Sequence, residues 1–294
     1  MRVGLVTCVT LPEEDPDQEP LLAALHAAGV EAELLPWDDP QAAPESFDLC
    51  VIRSTWNYHE DPARFLAWIR RAEQKTRLHN PGDVVRWNAH KGYLRELEAQ
   101  GVPIVPTAWI ERGAAPSLLE IMERQSWDDV VIKPAVSAAS YRTRRFRRSE
   151  LPEAQRFLDD LVRDRDVMVQ RYMSSTEEPG EHALVWVDGA FTHAVRRSPR
   201  FSGDDEEFLD AMEPTREELE FGRKVISLVD ADLLYGRVDV ILAEDGTLLL
   251  SELELLEPSL YLVQSPTALN RLVRAIVGEL HGRRHVACHH DAGR

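Results

Sequence analysis

Arg237 and Asp239 stand two residues apart, and Glu252 and Glu254 stand two apart further along, each pair inside a run of aliphatic residues. Strand alternation puts both members of a pair on one face. Residues 235–242 and 248–253, joined by Glu244-Asp245-Gly246, have the signature of a hairpin, so the pairs would meet as three carboxylates around one guanidinium. In a dry setting that cluster repels itself, and Mg²⁺ relieves the repulsion where it also bridges phosphates. A solvated, salt-bridged strand face is the competing reading. Against it, Val238, Val240, Leu253, Leu255 and Leu256 make the opposite face core, and Glu257-Pro258-Ser259 breaks the strand where ligand-binding loops are common.

Two lysines are placed for anion chemistry. Lys133 ends the apolar run Val130-Val131-Ile132 and precedes Pro134, so its ammonium leaves a buried strand end as a point charge for phosphate, while Lys91 opens a helix. After Lys133 the small residues 135–140 let backbone N–H groups approach phosphate oxygens. The arginines that follow, Arg142, Arg144, Arg145, Arg147 and Arg148, serve either the same anion or a solvated edge strand. Neither G-x-x-x-x-G-K-[ST] nor G-x-G-x-x-G occurs, so a nucleotide must be held another way. His193, Trp186 and His90 read as sheet-face or helix-start residues.

The elements that must position these groups begin with a β-α-β unit: a strand over 3–9, helical spacing over 20–28 ended by Gly29, and extension over 31–35. A third strand covers 49–52, and Asp61-Pro62 caps a helix bearing Phe65, Trp68 and Ile69. The first 82 residues therefore read as an open α/β domain. A helix is expected over 88–99, stopped by Gly101, then an extended run to Ile110, a strand over 130–134, a helix from Ser149 and a strand over 167–172. The pattern then turns antiparallel, with a hairpin at 183–187 and 190–195 about Asp188-Gly189. Residues 200–213 are acidic and poorly patterned, so a mobile loop is expected. Thr215 and Glu218 form a capping box for a helix to Leu228, and Ser265-Pro266 caps a last helix to Leu280. Residues 281–294 carry His281, His285, Cys288, His289 and His290 at loose spacing, read as a disordered tail rather than a metal site.

With 34 Lys and Arg against 51 Asp and Glu, the net charge of −17 argues against a nucleic-acid binder and for small ligands and metal cations. No apolar run approaches the ~18 residues of a membrane span, so no membrane partner is expected. Three scattered cysteines without C-x-x-C spacing point to a reducing cytoplasm. Assembly is expected to be monomeric or homodimeric.

Taken in order, residues 87–261 resemble the ATP-grasp superfamily of carboxylate ligases. Residues 86–91 look like its first ATP lysine, 131–134 like its second, 137–143 like its flexible phosphate loop, and 168–172 like the strand that meets adenine. The form of residues 252–261, with Ser54-Thr55-Trp56-Asn57-Tyr58 and residues 192–195, is most similar to the ligases around cycloserine synthetase, a cyclo-ligase acting on O-ureido-serine. Glu254 stands where many members carry Asn. The resemblance implies an α/β fold in which residues 83–173 and 174–280 form two α+β subdomains clasping ATP. It also implies one or two Mg²⁺ ions, which Mn²⁺ replaces, and activation of a small amino-acid-like carboxylate as an acyl phosphate that a nitrogen displaces. In that frame Lys91, Lys133, Ser137, Ser140, Gln170, Tyr172, Met173 and Glu181 hold the nucleotide. Asp239, Glu252 and Glu254 hold metal, and Arg237 is catalytic.

The substrate is expected against Arg53, Trp56, Arg197 and Ser259. Arg53 and Trp56 follow the third strand, where open α/β sheets place ligands. Arg53 would grip a carboxylate, although a packed aromatic loop with a surface arginine fits the same residues, and Arg196-Arg197 fits a hairpin edge.

Overall fold

The computed structural model describes residues 1–198, 201 and 208–282. Strand β1 (Arg2–Thr7), helix α1 (Gln18–Ala27), β2 (Glu31–Pro36), β3 (Leu49–Ile52), α2 (Pro62–Ala72) and β4 (Arg77–His79) build a parallel sheet of order β2-β1-β3-β4. The inner strands β1 and β3 are nearly continuous apolar runs because helices cover both faces. Phe65, Trp68 and Ile69 of α2 pack on Val6, Cys50 and Ile52, while Leu21 and Leu25 of α1 pack on Val3, Leu5, Leu49 and Val51. Helix α2 starts as its sequence indicates, with the Asp61 side chain accepting from the Arg64 N–H at 3.0 Å and Pro62 in the first turn.

Two short helices follow, α3 (Gly82–Asn88) and α4 (Tyr93–Ala99), in place of the single helix expected over 88–99. The break has a tertiary cause: the Lys91 N–H donates to the Ala135 carbonyl at 2.8 Å, and the Asn88 side chain bridges Leu253 and Leu255. Strand β5 (Thr107–Ile110), α5 (Leu118–Gln125), β6 (Asp129–Pro134), β7 (Arg144–Arg147), α6 (Leu151–Val162) and β8 (Val167–Arg171) form a second sheet, β5-β8-β6-β7, with α5 and α6 against it. All its pairings are antiparallel, so antiparallel order begins earlier in the chain than the alternation indicated. Helix α5 had gone unread.

The third sheet holds both expected hairpins. Its strands are β9 (Glu181–Val187), β10 (Ala190–Arg197), β11 (Phe208–Met212), β12 (Tyr235–Leu242) and β13 (Leu248–Glu254), in order β11-β10-β9-β12-β13. Helix α7 (Arg216–Ser227) opens with the Thr215–Glu218 capping box, and α8 (Pro266–Leu280) with Ser265 accepting from Ala268. Residues 208–212 correct the expected loop over 200–213: backbone pairing to β10 makes Phe208–Met212 a strand, and this part of the segment carries a single acid, Asp210. Residues 200 and 202–207 of that expectation lie outside the described residues, as does the predicted tail beyond Gly282.

One face of the third sheet (Leu184, Trp186, Val238, Val240, Leu253) packs on α3, α4 and α7. The other (Val185, Val187, Tyr235) joins α8, α1 and β1 in a core common to the first and third sheets. Among the described residues no helix is long and apolar enough to cross a membrane.

Candidate active site between two antiparallel sheets

The hairpin β12–β13 pairs Arg237 with Glu254 and Asp239 with Glu252, so the two charged pairs share one face as their spacing requires. The register slips between Asp239 and Val240, a bulge of the kind that re-aims side chains beside functional sites. These residues line a cleft whose opposite wall comes from β6, β8 and residues 137–143.

The Glu252 carboxylate accepts from Lys133 Nζ at 2.7 Å with one oxygen and from Lys91 Nζ at 3.2 Å with the other. Burial raises the pKa of Glu252, but the two ammonium groups outweigh it and hold the carboxyl well below the usual range. Asp239, wholly buried, accepts from Arg237 Nε at 2.8 Å and Nη2 at 2.9 Å, and from Arg197 Nη1 at 3.0 Å. Arg237 Nη2 also donates to Glu254 at 2.5 Å, and Nη1 donates to the Ser259 carbonyl at 3.1 Å. Burial, with Asp239 and Glu252 nearby and Arg237 opposing, pushes Glu254 up to about 7. Glu181 pairs with Arg197 at 3.4 Å, and burial raises its pKa against that arginine.

Among the described residues no three Asp, Glu, His or Cys side chains converge to hold an ion unaided. The donor set still suits Mg²⁺, which is usually bound through one or two carboxylates with phosphate oxygens and water completing the octahedron. A divalent cation would relieve the repulsion that lifts Glu254.

The same cleft is lined by Lys91, Lys133, Ser137, Ser140, Gln170, Tyr172, Met173 and Glu181, and by Trp56, Arg197 and Ser259. Gln170 donates to Thr107 at 3.0 Å, and the Arg145 guanidinium lies 3.4 Å from the Tyr172 ring centroid. The loop at 137–143 has positive φ at Ala139, Ser140 and Arg142 without a glycine. Its Tyr141 packs edge-on to His59 with ring centroids 4.1 Å apart.

Arg53 is the exception, and the expectation that it grips a substrate carboxylate is corrected: it is buried behind the wall and does not line the cleft. Its Nη2 donates to the Pro258 carbonyl at 3.1 Å and lies 3.9 Å from the buried Asp17, and its guanidinium stacks over Tyr235 at 5.2 Å. The alternative of a surface arginine fails as well, because Arg53 is only 4 % exposed. The arginine run resolves mostly as an edge strand, β7, and none of these three lines the cleft: Arg142, before the strand, pairs with Asp160, Arg144 with Glu153 at 2.7 Å, and Arg145 with Asp129 at 2.7 Å while it stacks behind the cleft residue Tyr172. His193, Trp186 and His90 also lie off its lining.

Sequence reasoning missed Glu13, Tyr93 and Glu257, all on the lining. Glu257, in the strand-breaking Glu-Pro-Ser, carried a position signal without a role.

The family of the D-cycloserine synthetase DcsG N-terminal domain matches residues 3–80. The chain is 31% identical to the cycloserine biosynthesis protein DcsG of Streptomyces lavendulae, over 95% of this chain and 98% of that protein. It is similar to the crystal structure of D-cycloserine synthetase DcsG, with a TM-score of 0.86 at 30% identity, covering 95% of this chain and 100% of that one. The ATP complex of D-alanine–D-alanine ligase from Bacillus anthracis shares the fold at a TM-score of 0.69 and 14% identity, over 96% and 97% of the two chains.

Proposed function

The chain belongs to the D-cycloserine synthetase family of ATP-grasp ligases, ADP-forming enzymes that join a carboxylate to a nitrogen, and we propose that the cleft between its two antiparallel sheets is where it does so. The observation that carries this reading is the opposed pair of clusters on β12–β13: Glu252 shared by Lys91 and Lys133, and Arg237 shared by Asp239 and Glu254. Two ammonium groups and a fixed guanidinium in a buried setting are what a transferring phosphoryl group needs.

Lys91 and Lys133 neutralise the polyphosphate of ATP. The loop at 137–143 offers backbone N–H groups to it, and Gln170, Tyr172, Met173 and Glu181 line the end of the cleft that takes the nucleoside. Asp239, Glu252 and Glu254 hold Mg²⁺, one ion or two, with Mn²⁺ able to substitute. The bound metal supplies charge neutralisation to the phosphate oxygens. A small amino-acid-like carboxylate attacks the γ-phosphate, ADP departs, and a nitrogen displaces phosphate from the acyl phosphate. Arg237, which its carboxylate partners hold in one orientation, stabilises the charge on the transferring group. Trp56, Arg197 and Ser259 bound the substrate end, and Arg53 acts behind them by fixing the Pro258 carbonyl. The similarity to a D-cycloserine synthetase favours a cyclisation, in which one molecule carries both the carboxylate and the nitrogen, over ligation of two molecules.

The test is ADP production with Mg²⁺ against small amino acids including O-ureido-serine of both hands, each with and without hydroxylamine, which traps acyl phosphates. Substrate-dependent ADP with a hydroxamate is expected. ADP release and C–N product from one substrate without added amine identifies cyclisation, and dependence on a second amine identifies intermolecular ligation. Absence of ADP and hydroxamate across a panel that includes both hands of O-ureido-serine overturns the reading.

A further inference from the structure

Around the cleft, Glu181, Asp239, Glu252 and Glu254 are each tied to a lysine or an arginine. Glu257 lines the same cleft, yet among the described residues its carboxylate has no hydrogen-bond or ion-pair partner. It is an acceptor that none of the described residues uses.

Its backbone, by contrast, is pinned on every side. The Glu257 carbonyl accepts from Trp56 Nε1 at 2.9 Å, the Leu256 carbonyl from the Tyr235 hydroxyl at 3.0 Å, and the Pro258 carbonyl from Arg53 at 3.1 Å. The Ser259 carbonyl accepts from Arg237 at 3.1 Å, and the Leu260 N–H donates to Asp17 at 3.0 Å. Fixing a chain this firmly around an unpartnered, part-buried acid on the cleft wall leaves the acid pre-organised for something outside the chain. The rest of the cleft sets what that is. Its cations suit the phosphates and the substrate carboxylate, and what remains unmatched are the N–H groups of the substrate, those of the attacking nitrogen among them.

Resting on the carboxylate–nitrogen chemistry of the preceding section, we propose that Glu257 holds the attacking nitrogen, accepting a hydrogen bond from it and turning its lone pair toward the activated carboxyl carbon. The step forms one C–N bond and breaks the C–O bond to phosphate. Phosphate leaves with that bonding pair and takes up the proton the nitrogen sheds. Burial and the neighbouring Glu254 raise Glu257 well above the usual carboxylate range, and the acid retains an acceptor oxygen in either protonation state.

The experiment compares unaltered protein, Glu257→Gln and Glu257→Leu with ATP, Mg²⁺ and O-ureido-serine of each hand as probe, with and without hydroxylamine. What is read is the ratio of C–N product to trapped hydroxamate. Because misplacement of a reacting group by about 1 Å costs ~10²-fold, the ratio should fall about 100-fold in the leucine variant and partly recover in the glutamine variant, which keeps an acceptor. A ratio unchanged in both variants, with product and hydroxamate falling together or neither falling, overturns the proposal. If Glu257→Leu does not fold, Glu257→Gln carries the comparison alone. Unaltered protein that yields neither product nor hydroxamate refutes the underlying ligase reading and this proposal with it.

Discussion

Glu252 satisfies two ammonium groups at once, one oxygen to Lys133 and one to Lys91, so a single carboxylate decides the electrostatics of one end of the cleft. Glu252→Gln keeps the volume but leaves two buried cations without a counter-charge and makes a poor Mg²⁺ ligand. ADP formation should fall at least ~10²-fold, and breaking this part-buried pair should cost the ligand-free protein about 3 kcal/mol, measured by steady-state assay and denaturant unfolding. A variant with full ADP release would sink the assignment. His59 permits a pH test. Burial, with Arg165 and Lys91 nearby, lowers its pKa from 6.5 to about 4, so the folded state favours the neutral ring. The stability it contributes is present above pH 6.5 and lost as pH falls through 4. Melting temperatures should therefore drop less steeply over that window in His59→Gln than in the parent, and equal slopes would contradict the role given to the ring.

At the scale of elements, the segment after β13 is shaped by the first sheet's loops rather than by its own sequence. Asp17 accepts from the N–H groups of Leu260 at 3.0 Å and Leu262 at 2.7 Å, and Asn80 bridges Leu234, Tyr235 and Leu255. Both residues are buried, so removing them strands backbone donors. Asp17→Ala should destabilise by about 3–5 kcal/mol, because it also leaves buried Arg53 unpaired. Asp17→Asn should cost less, since one acceptor survives, and urea midpoints at constant slope would check the pair. The break between α3 and α4 has the same origin. A continuous helix satisfies local propensity, but handing the Lys91 N–H to Ala135 seats this lysine against Glu252.

For the whole molecule, the core that joins Val3, Leu5 and Leu21 to Val185, Tyr235 and Leu272 ties the first sheet to the third, so one cooperative unfolding transition is expected by calorimetry, not two. Saturating the cleft should raise stability: ATP at one hundred times its Kd contributes about 2.7 kcal/mol, with a smaller melting shift when Mg²⁺ is chelated, because the metal's charge neutralisation is lost. Much of this was legible in the sequence. Alternation fixes which faces of residues 235–242 and 248–254 carry charge, and caps and turn residues mark α2, α7 and α8, because these are short-range patterns; the order of Lys91, Lys133, Arg237 and Glu252 points to the ligase chemistry through its resemblance to the ATP-grasp ligases. What only the tertiary structure decided is partnership across the chain. Arg53 turns inward to Asp17 and Pro258 instead of facing the cleft, the arginines after Tyr141 are spent on acids of neighbouring elements, residues 208–212 become a strand by pairing with β10, and among the described residues the Glu257 carboxylate is left without a hydrogen-bond or ion-pair partner. Each depends on which distant group folding brings within about 3–4 Å, the reach of a hydrogen bond or a close ion pair.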